Sequence, residues 1–163
     1  DVVADEKGNI YISDMGDHVI YKLDAKGIKP WLRSPRLRHP NGLYTDGKEH
    51  LIVTMWGGPF DPKTFVAQEV GAVISISLKD SSREPSEETT LRGHLDGITA
   101  DGEGNLLISD WISGDVYKMK KNGEASLVFN MGQGTADLSF SKDLNLLLIP
   151  QMGQNKIIGL KLK

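Results

Sequence analysis

The segment His94–Gly114, HLDGITADGEGNLLISDWISG, decides the fold. It contains an apolar stretch that ends at Asp101, a turn rich in Gly and Asn, a second apolar stretch, and a reversal at Ser113-Gly114. Gly and Asn tolerate the positive φ angles that a tight hairpin needs. The segment therefore predicts two short antiparallel strands joined by a tight turn.

The same pattern occurs three more times along the chain. DVVADEKGNIYISD (1–14) aligns with GITADGEGNLLISD (97–110), and both have Ala-Asp, Gly-Asn and Ile-Ser-Asp at the same positions. GLYTDGKEHLIVT (42–54) and DLSFSKDLNLLLI (137–149) fall into the same frame, so the successive copies begin 41, 55 and 40 residues apart. An insertion, GGPFDPKTFVAQEVG (57–71), accounts for the long step.

Further strands are predicted after each repeated pair. A third apolar segment follows every pair, at 18–23, 72–78, 115–119 and 156–162, and a weaker fourth follows in three repeats, at 28–32, 88–91 and 125–129. Three or four short antiparallel strands per unit of ~40–45 residues are typical of propeller blades. The sequence predicts an all-β protein, a β-propeller, with blades at about 1–38, 39–93, 94–133 and 134–163, the last without an outer strand. The alternative is another all-β sandwich or barrel.

Composition restricts the classes of function. The formal net charge of -3 disfavours nucleic-acid binding, which requires a concentrated positive surface. The longest run of aliphatic residues, Leu146–Ile149, is far shorter than a membrane span. The absence of cysteine favours a soluble protein that needs no disulfide, periplasmic or cytoplasmic in a bacterium, without deciding the compartment.

Asn41 and Asp96 are the candidate site residues. They occupy the same repeat position, immediately before the innermost strand of two adjacent predicted blades. Equivalent positions of this kind converge around a propeller axis, and amide and carboxylate oxygens are ligands that calcium prefers. The alternative is that Asn41-Gly42 and Asp96-Gly97 are simply turn formers.

Several other residues are expected near the same end of the axis. Two histidines, His39 and His94, each precede a candidate ligand by two residues, which suits either proton carriers or ordinary strand-edge residues. Asp137 occupies the next repeat position and is expected to line the channel, although Ala136 replaces the ligand in that copy. Trp56 and Trp111 follow the second strand of adjacent repeats; they could form the wall of a substrate pocket or pack between blades.

The insertion 57–71 is the most variable part of the repeat pattern. Long insertions in propellers cover one face, and functional loops are often of this kind. Two aromatic residues, Phe60 and Phe65, indicate that it could act as a lid.

Three phrases resemble one family. HPNGLYTDG (39–47), LDGITADGEGNLLISDW (95–111) and GTADLSF (134–140) are similar to the regucalcin/gluconolactonase group, which includes luciferin-regenerating enzyme and is akin to diisopropylfluorophosphatase and paraoxonase. The resemblance covers nearly the whole chain and implies a six-bladed propeller. NHL-type propellers share the strand, Asp, Gly and Asn rhythm, so the ordered set of phrases carries the resemblance.

The resemblance also implies a cofactor and a reaction. The family binds one divalent cation, calcium as the first expectation and zinc as the second, through four residues. Asn41 and Asp96 match two of these ligands, whereas the matching Glu and a further Asn would precede Asp1. The implied activity is metal-dependent hydrolysis of a lactone or related ester, with Asp96 or a neighbouring group activating water. The competing interpretation is a non-catalytic, NHL-like propeller that binds a ligand or a protein partner.

The ends of the pattern suggest a portion of a larger ring. The first copy begins at an innermost strand, and the last copy stops after its third strand. A closed propeller usually completes one blade with strands from both termini. A fragment of a longer propeller is therefore expected. The alternatives are a four-bladed ring and self-association of two chains that complete each other.

Overall fold

The computed structural model describes residues 1–80 and 82–162, and the regular secondary structure of these residues is almost entirely β. The strands form four antiparallel sheets, blades 1 to 4, each built from consecutive strands. Blade 1 contains β1 (Val2–Ala4), β2 (Ile10–Asp14), β3 (Val19–Asp24) and β4 (Gly27–Arg33); blade 2 contains β5 (Pro40–Thr45), β6 (His50–Met55) and β7 (Val73–Ser77). Blade 3 contains β8 (Leu95–Ala100), β9 (Leu106–Asp110), β10 (Asp115–Met119) and β11 (Ala125–Asn130); blade 4 contains β12 (Ser139–Ser141), β13 (Leu146–Gln151) and β14 (Lys156–Lys161), with a short 3-10 helix (Met152–Gln154) between the last two.

An aspartate organises the hairpin turn that begins each of the first three blades. The Asp101 carboxylate accepts hydrogen bonds from the backbone N–H groups of Glu103 and Asn105 at 2.9 Å. It also accepts one from the side-chain amide of Asn105. Gly104 lies between them at φ +81°, where a side chain would be strained. Asp5 and Asp46 make the corresponding bonds in the other two blades.

The core is divided among the spaces between successive blades. One cluster joins blade 1 to blade 2, and its members include Tyr11, Ile20 and Leu43. A second cluster joins blade 2 to blade 3 around Val73 and Ile108, and a third joins blade 3 to blade 4. Each blade is covered by its neighbour, as expected for a repeat architecture with nearest-neighbour interfaces.

The predicted outer strand of blade 2 was wrong. Among the described residues, 88–91 form no strand; the chain instead runs beside β7 irregularly, through a bridge between Pro85 and Ile76. The backbone N–H groups of Ser86 and Thr89 bond to Ser75 and Val73. Pro85, opposite Ile76, has no N–H to donate, so it disfavours a regular ladder beside β7.

Candidate functional site

Hydroxyl groups join the innermost strands of neighbouring blades. Thr54 accepts a hydrogen bond from the Gly42 N–H at 2.9 Å, within blade 2, and donates to the Asp96 carbonyl oxygen of blade 3 at 2.7 Å. The same relation links Ser13 to the Asn41 carbonyl oxygen at 2.6 Å and Ser109 to the Ala136 carbonyl oxygen at 2.8 Å. Sequence reasoning missed these residues, although a hydroxyl residue closes the second strand of each of the first three repeats.

Glycine allows the innermost strands to approach one another closely. A Cβ atom on Gly42 would collide with the Asp96 carbonyl oxygen, and a Cβ on Gly97 would collide with the Asp137 backbone. The two glycines therefore have a packing role in addition to their turn-forming tendency. This close approach brings together the residues near the start of each inner strand: Asn41 is the second residue of β5, and Asp96 is the second residue of β8.

Asn41 and Asp96 are in direct contact, as the repeat position predicts. The Asn41 side-chain amide donates a hydrogen bond to Oδ1 of Asp96 at 2.9 Å. Burial raises the pKa of the Asp96 carboxyl to about 6; the nearby Asp137 carboxylate raises it too, while the Asn41 hydrogen bond acts in the opposite direction. The pair is thus a partly buried polar centre whose acid is destabilised in its charged form.

Asp137 lies next to this pair and is exposed to solvent. One of its carboxylate oxygens accepts a hydrogen bond from the Leu138 N–H at 2.7 Å. On the opposite side of the pair, Asp1 bonds to the Leu43 N–H at 2.7 Å. Three carboxylates from three blades therefore surround the end of the inner strands.

The donor types suit a hard divalent cation, but the described residues do not form a complete set of ligands. Asn41 offers an amide oxygen and Asp96 a carboxylate with raised pKa, next to the negative charge of Asp137. A cation would offset the repulsion between the two carboxylates. Within 1–80 and 82–162, however, no group of three or more His, Cys, Asp or Glu side chains could hold a metal.

The rings of both candidate histidines contact the insertion 57–71. Nε2 of buried His94 accepts a hydrogen bond from the Ala67 N–H at 2.9 Å. Nδ1 of His39 lies 2.5 Å from the Gly57 carbonyl oxygen, and the His39 N–H donates to Nδ1 of His18 at 3.1 Å. Desolvation lowers the pKa of His39. These contacts support the loop; whether either histidine transfers protons remains a prediction.

The two tryptophans belong to an aromatic cluster beneath the insertion. Their ring centroids are 5.9 Å apart, and the Trp56 ring lies 5.7 Å from His94. Phe60 and Phe65 stack at 6.0 Å, and Phe65 is also 6.0 Å from Trp111. The insertion therefore folds over the tryptophans that follow β6 and β9, at the end of the blades where Asn41 and Asp96 lie.

Comparison with known proteins shows which solved structures share this architecture. No family profile matches the sequence, and no curated protein matches it. Among solved structures, a gluconolactonase from Xanthomonas campestris is 17% identical over 93% of this chain and 53% of its own, with a TM-score of 0.70. The chain has a gluconolactonase-like propeller fold. In the part that the structure describes, no helix is long and apolar enough to cross a membrane.

Other solved structures that are similar to this chain belong to proteins with different names. An auxiliary nutrient binding protein from Bacteroides thetaiotaomicron is 14% identical over 99% of this chain and 38% of its own, with a TM-score of 0.77. Virginiamycin B lyase from Staphylococcus aureus is 16% identical over 99% of this chain and 54% of its own, with a TM-score of 0.66. The chain thus spans about half the length or less of these structures, and they establish its fold alone.

Proposed function

We propose that the chain is part of a metal-dependent hydrolase that opens a lactone or a similar ester. The observation that carries the proposal is the contact between Asn41 and Asp96, two polar side chains from adjacent blades that meet at 2.9 Å. They meet beside Asp137, a carboxylate from a third blade. If Asn41 and Asp96 only formed turns, their side chains would not need to touch each other. The gluconolactonase-like fold supports the reaction class.

The roles of the residues follow from their chemistry. Asn41 and Asp96 would hold a divalent cation, calcium first and zinc second, through oxygen atoms. When bound, the cation would polarise the substrate carbonyl as a Lewis acid. Asp96, or Asp137 beside it, would accept the proton of the attacking water. The water oxygen bonds to the carbonyl carbon, the ring C–O bond breaks, and the released oxygen takes up a proton, which gives the hydroxy acid.

The first experiment measures the melting temperature of the chain with calcium, zinc or chelator. Calcium is expected to raise the melting temperature of the wild type, because a ligand that binds only the folded state stabilises it. The rise should disappear in Asn41→Ala and Asp96→Asn.

A matched control comes from another Asn–Asp pair in the same molecule. Asn130 donates to Asp115 at 2.6 Å on the outer part of blade 3, away from the inner strands. Asn130→Ala should keep the full response to calcium. An equal response in Asn41→Ala would show that the ion binds elsewhere, and the proposed site would be abandoned.

The alternative is a propeller that binds a ligand or a protein without catalysis. The nutrient-binding protein of similar fold and the aromatic cluster beside the polar pair favour it as the second candidate. Hydrolysis of simple lactones, followed by acid release, separates the two. Metal binding at Asn41 and Asp96 without acid release from any lactone would support the binding propeller.

A further inference from the structure

The insertion presents an apolar surface to solvent. Phe65 is 45% exposed and Met152, which follows β13, is 61% exposed, and Val66 and Val70 are also exposed. Met152 reaches the same surface through its sulfur atom, 3.5 Å from Nε1 of Trp111. We call Phe60, Phe65, Trp111 and Met152 the aromatic wall. Exposed, contiguous apolar side chains of this kind mark binding surfaces.

Phe65 is held in place at a conformational cost. Its φ angle is +60°, which a bulky residue rarely adopts. Two hydrogen bonds fix it there: its N–H donates to the Asp61 carbonyl oxygen at 2.7 Å, and its own carbonyl accepts from Nε1 of Trp56 at 2.9 Å. Strain that surrounding contacts maintain, at a residue whose ring remains exposed, is typical of functional positions.

The aromatic wall offers almost no hydrogen-bonding group. The Trp56 indole N–H is used by the Phe65 carbonyl, and the Trp111 indole N–H faces the Met152 sulfur. The remaining side chains of the wall are the hydrocarbon rings of Phe60 and Phe65 and the thioether of Met152, whose sulfur is only a weak acceptor. A ligand rich in hydroxyl groups would leave those groups without partners here, whereas an alkyl chain or an aromatic ring would lose nothing.

Contacts through His94 connect the wall to the strand that carries Asp96. The Trp111 backbone N–H donates to the His94 carbonyl oxygen at 3.1 Å, and the ring of His94 contacts Trp56. His94 precedes Asp96 by two residues on the same strand edge. A small molecule whose carbonyl lies at Asn41 and Asp96 could therefore extend an apolar substituent along the wall.

We propose that the aromatic wall binds the alkyl or aryl substituent of the lactone, so that the enzyme prefers apolar lactones to polyhydroxylated ones. This inference rests on the proposed function, because it assigns a substrate class to the same site. Phe65 would be the residue that determines specificity.

The kinetic test compares kcat/KM for γ-butyrolactone, γ-lactones with longer alkyl chains, and gluconolactone. Each buried methylene is expected to raise kcat/KM about fourfold until the wall is covered. Phe65→Gly should reduce kcat/KM about tenfold for the hexyl-substituted lactone and less than about twofold for the unsubstituted one. Glycine accepts the positive φ, so this variant removes the ring without straining the loop.

Ile28→Ala is the control variant. Ile28 is 61% exposed on β4, and its removal should leave the chain-length preference unchanged. Equal kcat/KM values for all the lactones in the wild type would overturn the inference while leaving the proposed hydrolase intact.

A binding measurement distinguishes failure of the inference from failure of the proposed function. A γ-lactam carrying a hexyl chain, which resists hydrolysis, is titrated against tryptophan fluorescence, with 2-pyrrolidinone as the unsubstituted reference. Saturable binding that weakens about tenfold in Phe65→Gly supports the wall even if no lactone is hydrolysed, in which case the hydrolase proposal fails. If the substituted lactam binds no more tightly than 2-pyrrolidinone, the wall has no such role.

Discussion

Thr54 shows how one hydroxyl group can support both the fold and the candidate site. It is fully buried, and it is hydrogen-bonded to the Gly42 N–H and to the Asp96 carbonyl oxygen. Asp96 is therefore positioned from the neighbouring blade through its backbone. Its side chain remains available for Asn41 and for a ligand.

Thr54→Val is expected to lower the free energy of unfolding by about 2 kcal/mol or more, because it leaves a buried N–H and a buried carbonyl without partners. Thr54→Ser keeps the hydroxyl and should lose much less. The measurement is urea-induced unfolding at constant pH. Equal losses in the two variants would mean that packing of the methyl group, rather than the hydrogen bonds, determines stability.

Asp101 should make stability depend on acid pH. Burial acts to raise its pKa, but hydrogen bonds from Lys118, from Asn105 and from backbone N–H groups outweigh this and lower the pKa to about 2. A lowered pKa means that the stabilisation is complete above the unfolded-state value near 4 and is lost as pH falls toward 2.

Asp101→Asn is accordingly expected to cost about 1–2 kcal/mol at pH 7, and the difference from wild type should shrink as pH falls from 5 to 2. The measurement is the free energy of unfolding across this range. Asp143→Asn, at an exposed position in a turn of blade 4, is the control and should change stability little. A difference that persisted at pH 2 would exclude titration of Asp101 as the cause.

At the scale of elements, Arg36 and Arg38, between blades 1 and 2, bind the outer segment of blade 2. We call these two residues the arginine brace. The guanidinium of Arg36 donates to the carbonyl oxygens of Pro85 and Ser86 at 2.8 and 2.5 Å. Arg38 donates to the Glu88 carboxylate at 2.7 Å. These arginines hold the irregular outer segment of blade 2, which explains a cationic linker without invoking an anionic ligand.

Arg36→Ala is expected to lower the free energy of unfolding by about 1–2 kcal/mol through the two lost bonds. Arg36→Lys should recover only part of it, because an ammonium group does not reproduce the planar fork of a guanidinium. The Arg36–Glu87 ion pair, 3.6 Å long with Glu87 fully in solvent, contributes little. Raised salt should therefore leave the Arg36→Ala effect nearly unchanged; a large salt dependence would assign it to charge instead.

At the scale of the whole molecule, the candidate site exists only because blades converge. None of its polar side chains comes from the same blade as its partner: Asn41 lies on β5, Asp96 lies on β8, and Asp137 precedes β12. Their separation depends on how closely the inner strands pack, and Gly42 and Gly97 determine that packing.

Gly42→Ala and Gly97→Ala are expected to destabilise the chain by several kcal/mol, since overpacking a tight contact typically costs about 1–3 kcal/mol and here the contact is with rigid backbone. Gly102→Ala is the control, because its Cβ would meet only the Phe140 ring at 3.9 Å. The measurement is the melting temperature with and without calcium. A wild-type melting temperature in Gly97→Ala would show that the blades can separate without loss of stability.

The hairpins and the contact between Asn41 and Asp96 could be predicted from the sequence because both depend on spacing along the chain. Asp101, Gly104 and Asn105 specify a turn by themselves, and a repeat position is enough to bring Asn41 next to Asp96. The sequence resemblance to gluconolactonase propellers was confirmed at the level of fold.

Other features depend on contacts between distant segments. Glu88–Leu91 has strand-like composition, yet Pro85 and the arginine brace direct the chain elsewhere. The hydrogen bond between Thr54 and Asp96 could not be predicted from the sequence, because it depends on how blades 2 and 3 are oriented relative to each other. The contact of Phe65 with Trp111 requires the path of an insertion that has no counterpart in the other repeats.

The hydrogen bonds made by the hydroxyl groups of Thr54 and Ser109 have a consequence for local opening between the blades. The amide protons of Gly42 and Gly97 each end on a hydroxyl that is itself attached to the next blade. They can exchange with solvent deuterium only when that hydroxyl is released. Blade 4 has Ile149 at the repeat position of Thr54, and its side chain has no hydroxyl to make such a bond. The exchange rate of the Gly42 amide therefore reports the separation of blades 2 and 3, and that of the Gly97 amide reports the separation of blades 3 and 4.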